Sequence, residues 1–270
     1  MRQGRLLGFR YRVHVAWLLI VAILLVAIVS SIEGALGERP EGIAALALGA
    51  VVVVLLVLSI VGHELTHAVT ARRLGQPERE ISLLVLDRPS DTEPDPEAPG
   101  AELAVATSGL LFSGLLGLVL VLVANAVPDD GAAGGLHWVA WWLGLANLLL
   151  TALYAVPVLP LDGGRVVRAI VWAVTRDLDR AGAVTAFVGR MFGYLVIGSG
   201  LFIAATVDLF YGVWIVLLGW FITRLARAAV DRRRMLQLTD GLTVDDATDP
   251  RPATVPPGLT VELLMAQEDE

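Results

Sequence analysis

His63-Glu64-Leu65-Thr66-His67 places two imidazoles and a carboxylate within five consecutive residues of a 270-residue chain. On a helix, residues i and i+4 project within about 40° of one another, so His63 and His67 share a face. Such a pair can hold a zinc ion, and the intervening glutamate stands beside it as a general base for water. A catalytic zinc takes three protein ligands and keeps a fourth position open. The chain has no cysteine and four histidines, which narrows the search for the third ligand. The metzincin spacing would need a histidine at position 73, which is Arg73. His14 and His137 lie at the ends of apolar runs, His137 on the far side of the membrane in the topology given below. The remaining candidate is Asp162, in Pro157-Val158-Leu159-Pro160-Leu161-Asp162-Gly163-Gly164-Arg165. Two prolines break a helix there, and the glycines permit close backbone approach. A carboxylate buried in such a segment needs a cation; the metal supplies one, and Arg165 is the plainer alternative.

The elements that must carry these residues are apolar. Hydrophobic residues make up 56% of the chain and mean hydropathy is +0.71, against about 45–50% apolar content in soluble domains. The pentad itself follows a 20-residue apolar run from Ile43 to Gly62. Ionisable side chains in membrane-spanning sequence are costly and mark a functional site. At about 20 apolar residues per helix, the sequence predicts an all-α polytopic membrane protein with about six transmembrane helices. The spans are 13–32, 43–74, 102–127, 137–160, about 186–207 and 209–228, with the helix broken at the Leu-Asp-Gly segment. The first run exceeds a signal-peptide core and is read as an uncleaved span.

All 20 basic residues are arginine. Arg2 to Arg12, Arg72, Arg73, Arg79, Arg88, Arg165 to Arg180 and Arg224 to Arg234 fall on one side of this arrangement; Arg39 alone falls in the opposite loops. An excess of arginine marks the cytoplasmic side, so both termini are expected in the cytoplasm of a multi-pass plasma-membrane protein. Arg72 lies nine residues beyond His63, or about 13 Å along a helix, so the pentad is buried but nearer the cytoplasmic face. The net charge of −7 gathers in residues 87–102 and the C-terminal tail, and nothing in the chain points to nucleic acid. Trp138, Trp141 and Trp142 fit an outer aromatic belt. Gly109, Ser113 and Gly117 form a small-xxx-small row that reads as close helix packing. Ile81 to Leu86 fits a strand, able to pair with an unwound substrate by edge addition or to lie on the membrane surface.

The pentad and the Leu161-Asp162-Gly163 segment together resemble the site-2 protease family of intramembrane zinc metalloproteases. The likeness runs through most of residues 10–230. It takes in Val13-His14-x-x-Trp17, Arg72-Arg73-Leu74-Gly75, then Glu102, Ala106, Gly109 and Ser113, then Asn147-Leu148-Leu149-Leu150, and ends on the Asp162 segment. The resemblance implies Zn2+ held by His63, His67 and Asp162, with Glu64 as the catalytic base. It implies a substrate that is a transmembrane-helix protein in the lipid bilayer, typically a regulator cut in regulated intramembrane proteolysis. Tyr154 stands where the family carries an asparagine that helps stabilise the oxyanion; Tyr154 and Asn147 are therefore candidates for oxyanion contact or substrate positioning. Thr66 stands where the family pentad has glycine, and Val85-Leu86-Asp87-Arg88 replaces its glycine-rich loop.

Residues 1–234 form the expected metalloprotease domain and 235–270 a cytoplasmic tail. Leu242-Thr243-Val244-Asp245-Asp246 through Leu263-Leu264 resembles the start of a CBS domain; a complete module would imply adenine-nucleotide binding. A homo-oligomer is neither required nor excluded by the sequence. Two other classes fit part of the pattern. One is a weakly active or inactive family member acting as a membrane binding or regulatory module. The other is a metal-ion transporter, which needs several ligand sets along a path where this chain offers one.

Overall fold

The computed structural model describes residues 2–6, 9–13, 26, 28, 43–76, 81–82, 98–129 and 133–239. Six helices are seen among them: α1 (Ile43–Arg73), α2 (Pro99–Ala126), α3 (Gly134–Tyr154), α4 (Asp162–Thr175), α5 (Leu178–Thr206) and α6 (Leu209–Thr239). Five contain stretches long and apolar enough to cross a bilayer: Leu46–Arg73, Pro99–Ala126, Gly134–Tyr154, Leu178–Thr206 and Leu209–Ala228. The protein is thus a multi-pass membrane protein whose spanning body is all-α. The expected span 13–32 falls outside the described residues except for Val13, Val26 and Ile28, and the CBS-like tail from 240 onward lies outside them altogether. The chain divides into two compact units, Met1–Val230 and Asp231–Glu270.

Local chemistry sets the helix ends. α1 closes with Arg72 and Arg73 in its last turn, where cations complement the helix dipole. Gly75, at φ 72°, then turns the chain out. Its amide donates to the Arg72 carbonyl at 3.2 Å, and that of Gln76 to the Ala71 carbonyl at 3.0 Å, a pairing that satisfies carbonyls left over at the helix end. α2 opens on Pro99, whose missing N–H costs nothing in a first turn. Asp177 caps α5 by accepting from the Arg180 amide at 2.9 Å. Asp208 does the same for α6 through the Tyr211 amide, also at 2.9 Å.

α2 packs against α1, α3 and α4, α3 also packs on α1, and α4 packs on α5. One apolar core joins Ile28, Val52, Val53, Trp138 and Leu143; a second joins Val158, Ile222 and Ala226. Leu58, Leu111, Leu115, Leu149 and Leu195 are exposed, as suits side chains solvated by lipid. α5 and α6 run close along glycines: a Cβ on Gly200 would come within 2.6 Å of the Val216 nitrogen, and one on Gly219 within 2.8 Å of the Gly193 carbonyl.

Three features differ from the sequence expectation. The span drawn as 137–160 ends as a helix at Tyr154, and Asp162 opens a separate 14-residue helix after an irregular turn with a cis Leu159–Pro160 bond. Proline cannot continue a helical hydrogen-bond ladder, so the break becomes a true helix start. Trp138 is 4% exposed and belongs to the core, while Trp141 at 42% faces outward; of the two, only Trp141 suits an interfacial anchor. Finally, the N-terminus forms a hairpin, β1 (Arg2–Leu6) with β2 (Phe9–Val13), in register Arg5↔Arg10. β3 (Ile81–Ser82) joins β2 in parallel and packs on α1. The strand expected over 81–86 is present at its first two residues; 83–86 lie outside the described set. The alternation Phe9-Arg10-Tyr11-Arg12-Val13 carried the hairpin signal.

Candidate metal centre

Helix periodicity brings His63 and His67 to one face of α1, their ring centroids 4.8 Å apart and nearly perpendicular. Asp162, at the first position of α4, reaches the same point. Its Oδ2 lies 3.2 Å from Nε2 of His63 and 3.1 Å from Nε2 of His67, and the two Nε2 atoms are 3.2 Å apart. All three residues are buried, and they form the one group able to hold a metal among the described residues. The carboxylate divides its work, for Oδ1 faces Arg165 Nη1 at 3.6 Å. The plainer reading of Asp162 as an Arg165 partner is therefore also realised, on the other oxygen.

Each imidazole is oriented from α2. Nδ1 of His67 is 2.7 Å from the carbonyl of Val105. A carbonyl only accepts, so this nitrogen carries the proton and Nε2 is left as a bare lone pair. Nδ1 of His63 meets the Ser113 hydroxyl at 2.9 Å. With the His63 proton likewise on Nδ1, two lone pairs and a carboxylate oxygen converge within 3.2 Å and repel one another unless a cation sits among them. Two nitrogens and one oxygen, with a further position open, match the donor set of a catalytic zinc. The residues present fit Zn2+.

Close packing makes room for this convergence. Gly109 of α2 faces both rings, and a Cβ there would stand 2.7 Å from Nε2 of His63 and closer still to His67. A Cβ on Gly163 would meet the Val156 carbonyl at 2.6 Å, and one on Gly164 the Val158 carbonyl at 2.7 Å. The paired glycines after Asp162 thus let the first turn of α4 lie directly on the irregular segment before it.

Glu64 is half-buried and follows His63 directly on α1, within electrostatic reach of Asp162 and Arg165. Tyr154, the last residue of α3, is buried with its ring centroid 4.7 Å from that of His63. Its phenol lies within electrostatic reach of Glu64 and Asp162. Asn147 goes elsewhere. Its amide donates to the Leu143 carbonyl at 2.8 Å and to Ser59 Oγ at 3.3 Å, one turn before His63, while its Oδ1 has no hydrogen-bond partner among the described residues. His137, in the first turn of α3, lies against the Ala124 and Val127 carbonyls at the C-terminal end of α2; His14 is outside the described residues. Thr66 bonds the His63 carbonyl within its own helix at 2.7 Å.

Sequence reasoning gave Ser113 a packing role without its contact to His63, and missed Val105. The small-residue row is a line of close helix contacts, as expected, but the contacts differ: Gly117 meets the Gly144 carbonyl and Leu148 of α3, whereas Gly109 and Ser113 meet the ligand side chains of α1. The signal was phase: positions 105, 109 and 113 repeat every four residues on one face. The Val105 contact, made by the main chain, left no mark on residue type.

The model of peptidase family M50 matches residues 120–196. A protein named "Putative zinc metalloprotease Rip3", from Mycobacterium tuberculosis, is 34% identical over 259 residues, covering 96% of this chain and 66% of its own length. Its counterpart sll0528 from Synechocystis, named in the same way, is 30% identical, with 97% of this chain and 68% of its own length covered. This chain therefore spans just under two thirds of the Rip3 protein. Among solved structures, the site-2 protease from Methanocaldococcus jannaschii shares the fold at a TM-score of 0.51 and 23% identity, over 85% of this chain and 94% of that one. The chain belongs to peptidase family M50, the site-2 protease family of zinc metalloproteases.

Proposed function

We propose that the chain is a zinc-dependent intramembrane endopeptidase that hydrolyses a peptide bond within a transmembrane helix of a membrane-anchored regulatory protein. The observation that carries this reading is the convergence of His63 Nε2 and His67 Nε2, on a helix long enough to span a bilayer, with Asp162 Oδ2 from the short helix α4, Glu64 standing next to His63 in the chain. His63, His67 and Asp162 hold the metal. Zinc, when bound, polarises a carbonyl and lowers the pKa of water toward about 7. Glu64 takes the proton of the attacking water on its carboxylate and delivers it to the leaving amine. Tyr154 stands over the His63 ring with a hydroxyl able to donate to the developing oxyanion. Asn147 acts at one remove, tying α3 to α1 through Ser59. The substrate helix must unwind locally, because its amides are otherwise closed in i→i−4 bonds. The sheet edge at β3 offers an extended segment a place to pair.

Both termini face the cytoplasm of the plasma membrane in this reading, with the metalloprotease domain over 1–234 and a cytoplasmic tail over 235–270. The tail joins adenine nucleotide only within a complete CBS module.

Zinc at one per chain, with Glu64→Gln retaining metal, losing cleavage and trapping intact membrane proteins in the host, is the expected result. Full activity in Glu64→Gln would sink the mechanism; metal retained at full affinity by Asp162→Ala would sink the ligand set. The buried Tyr154 ring against His63 favours a second reading, a binding or regulatory module whose pocket the ring fills. Zinc binding without cleavage in the parent, and cleavage gained in Tyr154→Asn, would select it. A metal transporter needs more than one ligand group, and flux in proteoliposomes would be required to revive it.

A further inference from the structure

We propose that Ser113 is a positioning residue for the metal centre, fixing the ring angle and tautomer of His63 from the neighbouring helix. This rests on the metal-site reading above. His63 and His67 sit one turn apart on α1, yet their Nδ1 atoms have different kinds of partner. His67 donates to a main-chain carbonyl at 2.7 Å, a partner that only accepts and that no side-chain change removes; the Ser108 hydroxyl, 3.4 Å from the same nitrogen, donates to that carbonyl as well. His63 meets a side-chain hydroxyl at 2.9 Å, which accepts or donates by rotating about its own C–O bond. Ser113 is fully buried at 0% exposure and His63 at 1%, so water is shut out from taking over the contact. With the hydroxyl accepting, the proton sits on Nδ1 and the Nε2 lone pair points at Asp162 Oδ2 and at Nε2 of His67, 3.2 Å from each. With the hydroxyl gone, no hydrogen-bond partner for Nδ1 of His63 is left among the described residues. The proton on Nε2, aimed at the Asp162 carboxylate, then becomes the competing state, and zinc must displace it.

The second partner of a metal-bound histidine commonly contributes 10- to 100-fold in metal affinity. Ser113→Ala is expected to weaken zinc binding by about that factor, measured by competition against a calibrated chelator on the full detergent-solubilised chain. Its cobalt-substituted form is expected to show an altered visible spectrum. Thr185→Ala is the matched control: it removes an equally buried hydroxyl, bonded to the Ala181 carbonyl on α5, and is expected to lower the melting temperature while leaving zinc affinity unchanged. A Ser113→Ala protein with parental zinc affinity would overturn the proposal. Should that variant not fold, imidazole 15N NMR of the metal-free parent, at a pH where the ring is neutral, decides instead, with four histidines to assign; a protonated Nδ1 on His63 is expected, and a bare one overturns it. A parent that binds zinc yet cleaves nothing refutes the protease reading alone, whereas a parent that binds no zinc refutes both.

Discussion

At the scale of single residues, the centre depends as much on an absent atom as on its ligands. Gly109 is the point on α2 where any Cβ would enter the space between the two imidazoles. Gly109→Ala is therefore expected to displace the rings and lower cleavage about 100-fold, the usual cost of misplacing a reacting group by about 1 Å. Metal content and circular dichroism on the purified variant would check that the loss is local; normal metal uptake and full activity would contradict the geometry. The sequence made His63, Glu64 and His67 readable because their spacing is itself the chemistry. Asp162 was reachable by elimination, since no cysteine or well-placed histidine competed with it. Ser113 was hidden because a small residue in an apolar helix has an ordinary packing role, and only the neighbouring helix reveals which way it faces.

At the scale of elements, the short amphipathic α4 must hold Asp162 against histidines carried on another helix. An ion pair links it to α2. Arg168 donates through Nε at 2.7 Å and through Nη2 to one oxygen of Glu102, and that carboxylate is completely buried with its other oxygen unpaired among the described residues. Removing one partner of a buried pair strands the other charge and costs about 3–5 kcal/mol, whereas replacing both with apolar residues is often neutral. Arg168→Met is thus expected to unfold at a markedly lower temperature, and Glu102→Met/Arg168→Met to recover most of the loss. Equal destabilisation in the single and double variants would deny the pair its role. Helix placement was largely legible from hydropathy, to within a few residues at most ends. What hydropathy could not give was the status of α4: an apolar sum does not distinguish a broken span from a new helix, but Pro157 and Pro160 do. Trp138 was misplaced for a similar reason, since an indole suits either an interface or a core and its partners Val52 and Val53 lie in another helix.

At the scale of the whole molecule, the ligands come from α1 and α4 and their orientation from α2, so metal and fold are coupled. A cation that binds only the assembled bundle stabilises it by mass action, about 2.7 kcal/mol at free zinc 100-fold above Kd. Zinc is expected to raise the melting temperature of the parent and chelation to reverse it, with no response in His63→Ala; a response of equal size there would place the stabilising ion elsewhere. The assembly was legible in outline only, because spans can be counted from a sequence whereas the pairing of helices cannot. The Val105 carbonyl has a consequence for heredity. A complete substitution scan would find position 105 demanding only an apolar residue of fitting size, and so would overlook it. A single-codon insertion or deletion upstream in α2 would swing that carbonyl by about 100° and release His67. Genetic variation at this contact is therefore tolerated in identity and forbidden in length, and it is the helical register, rather than any residue, that must be preserved there.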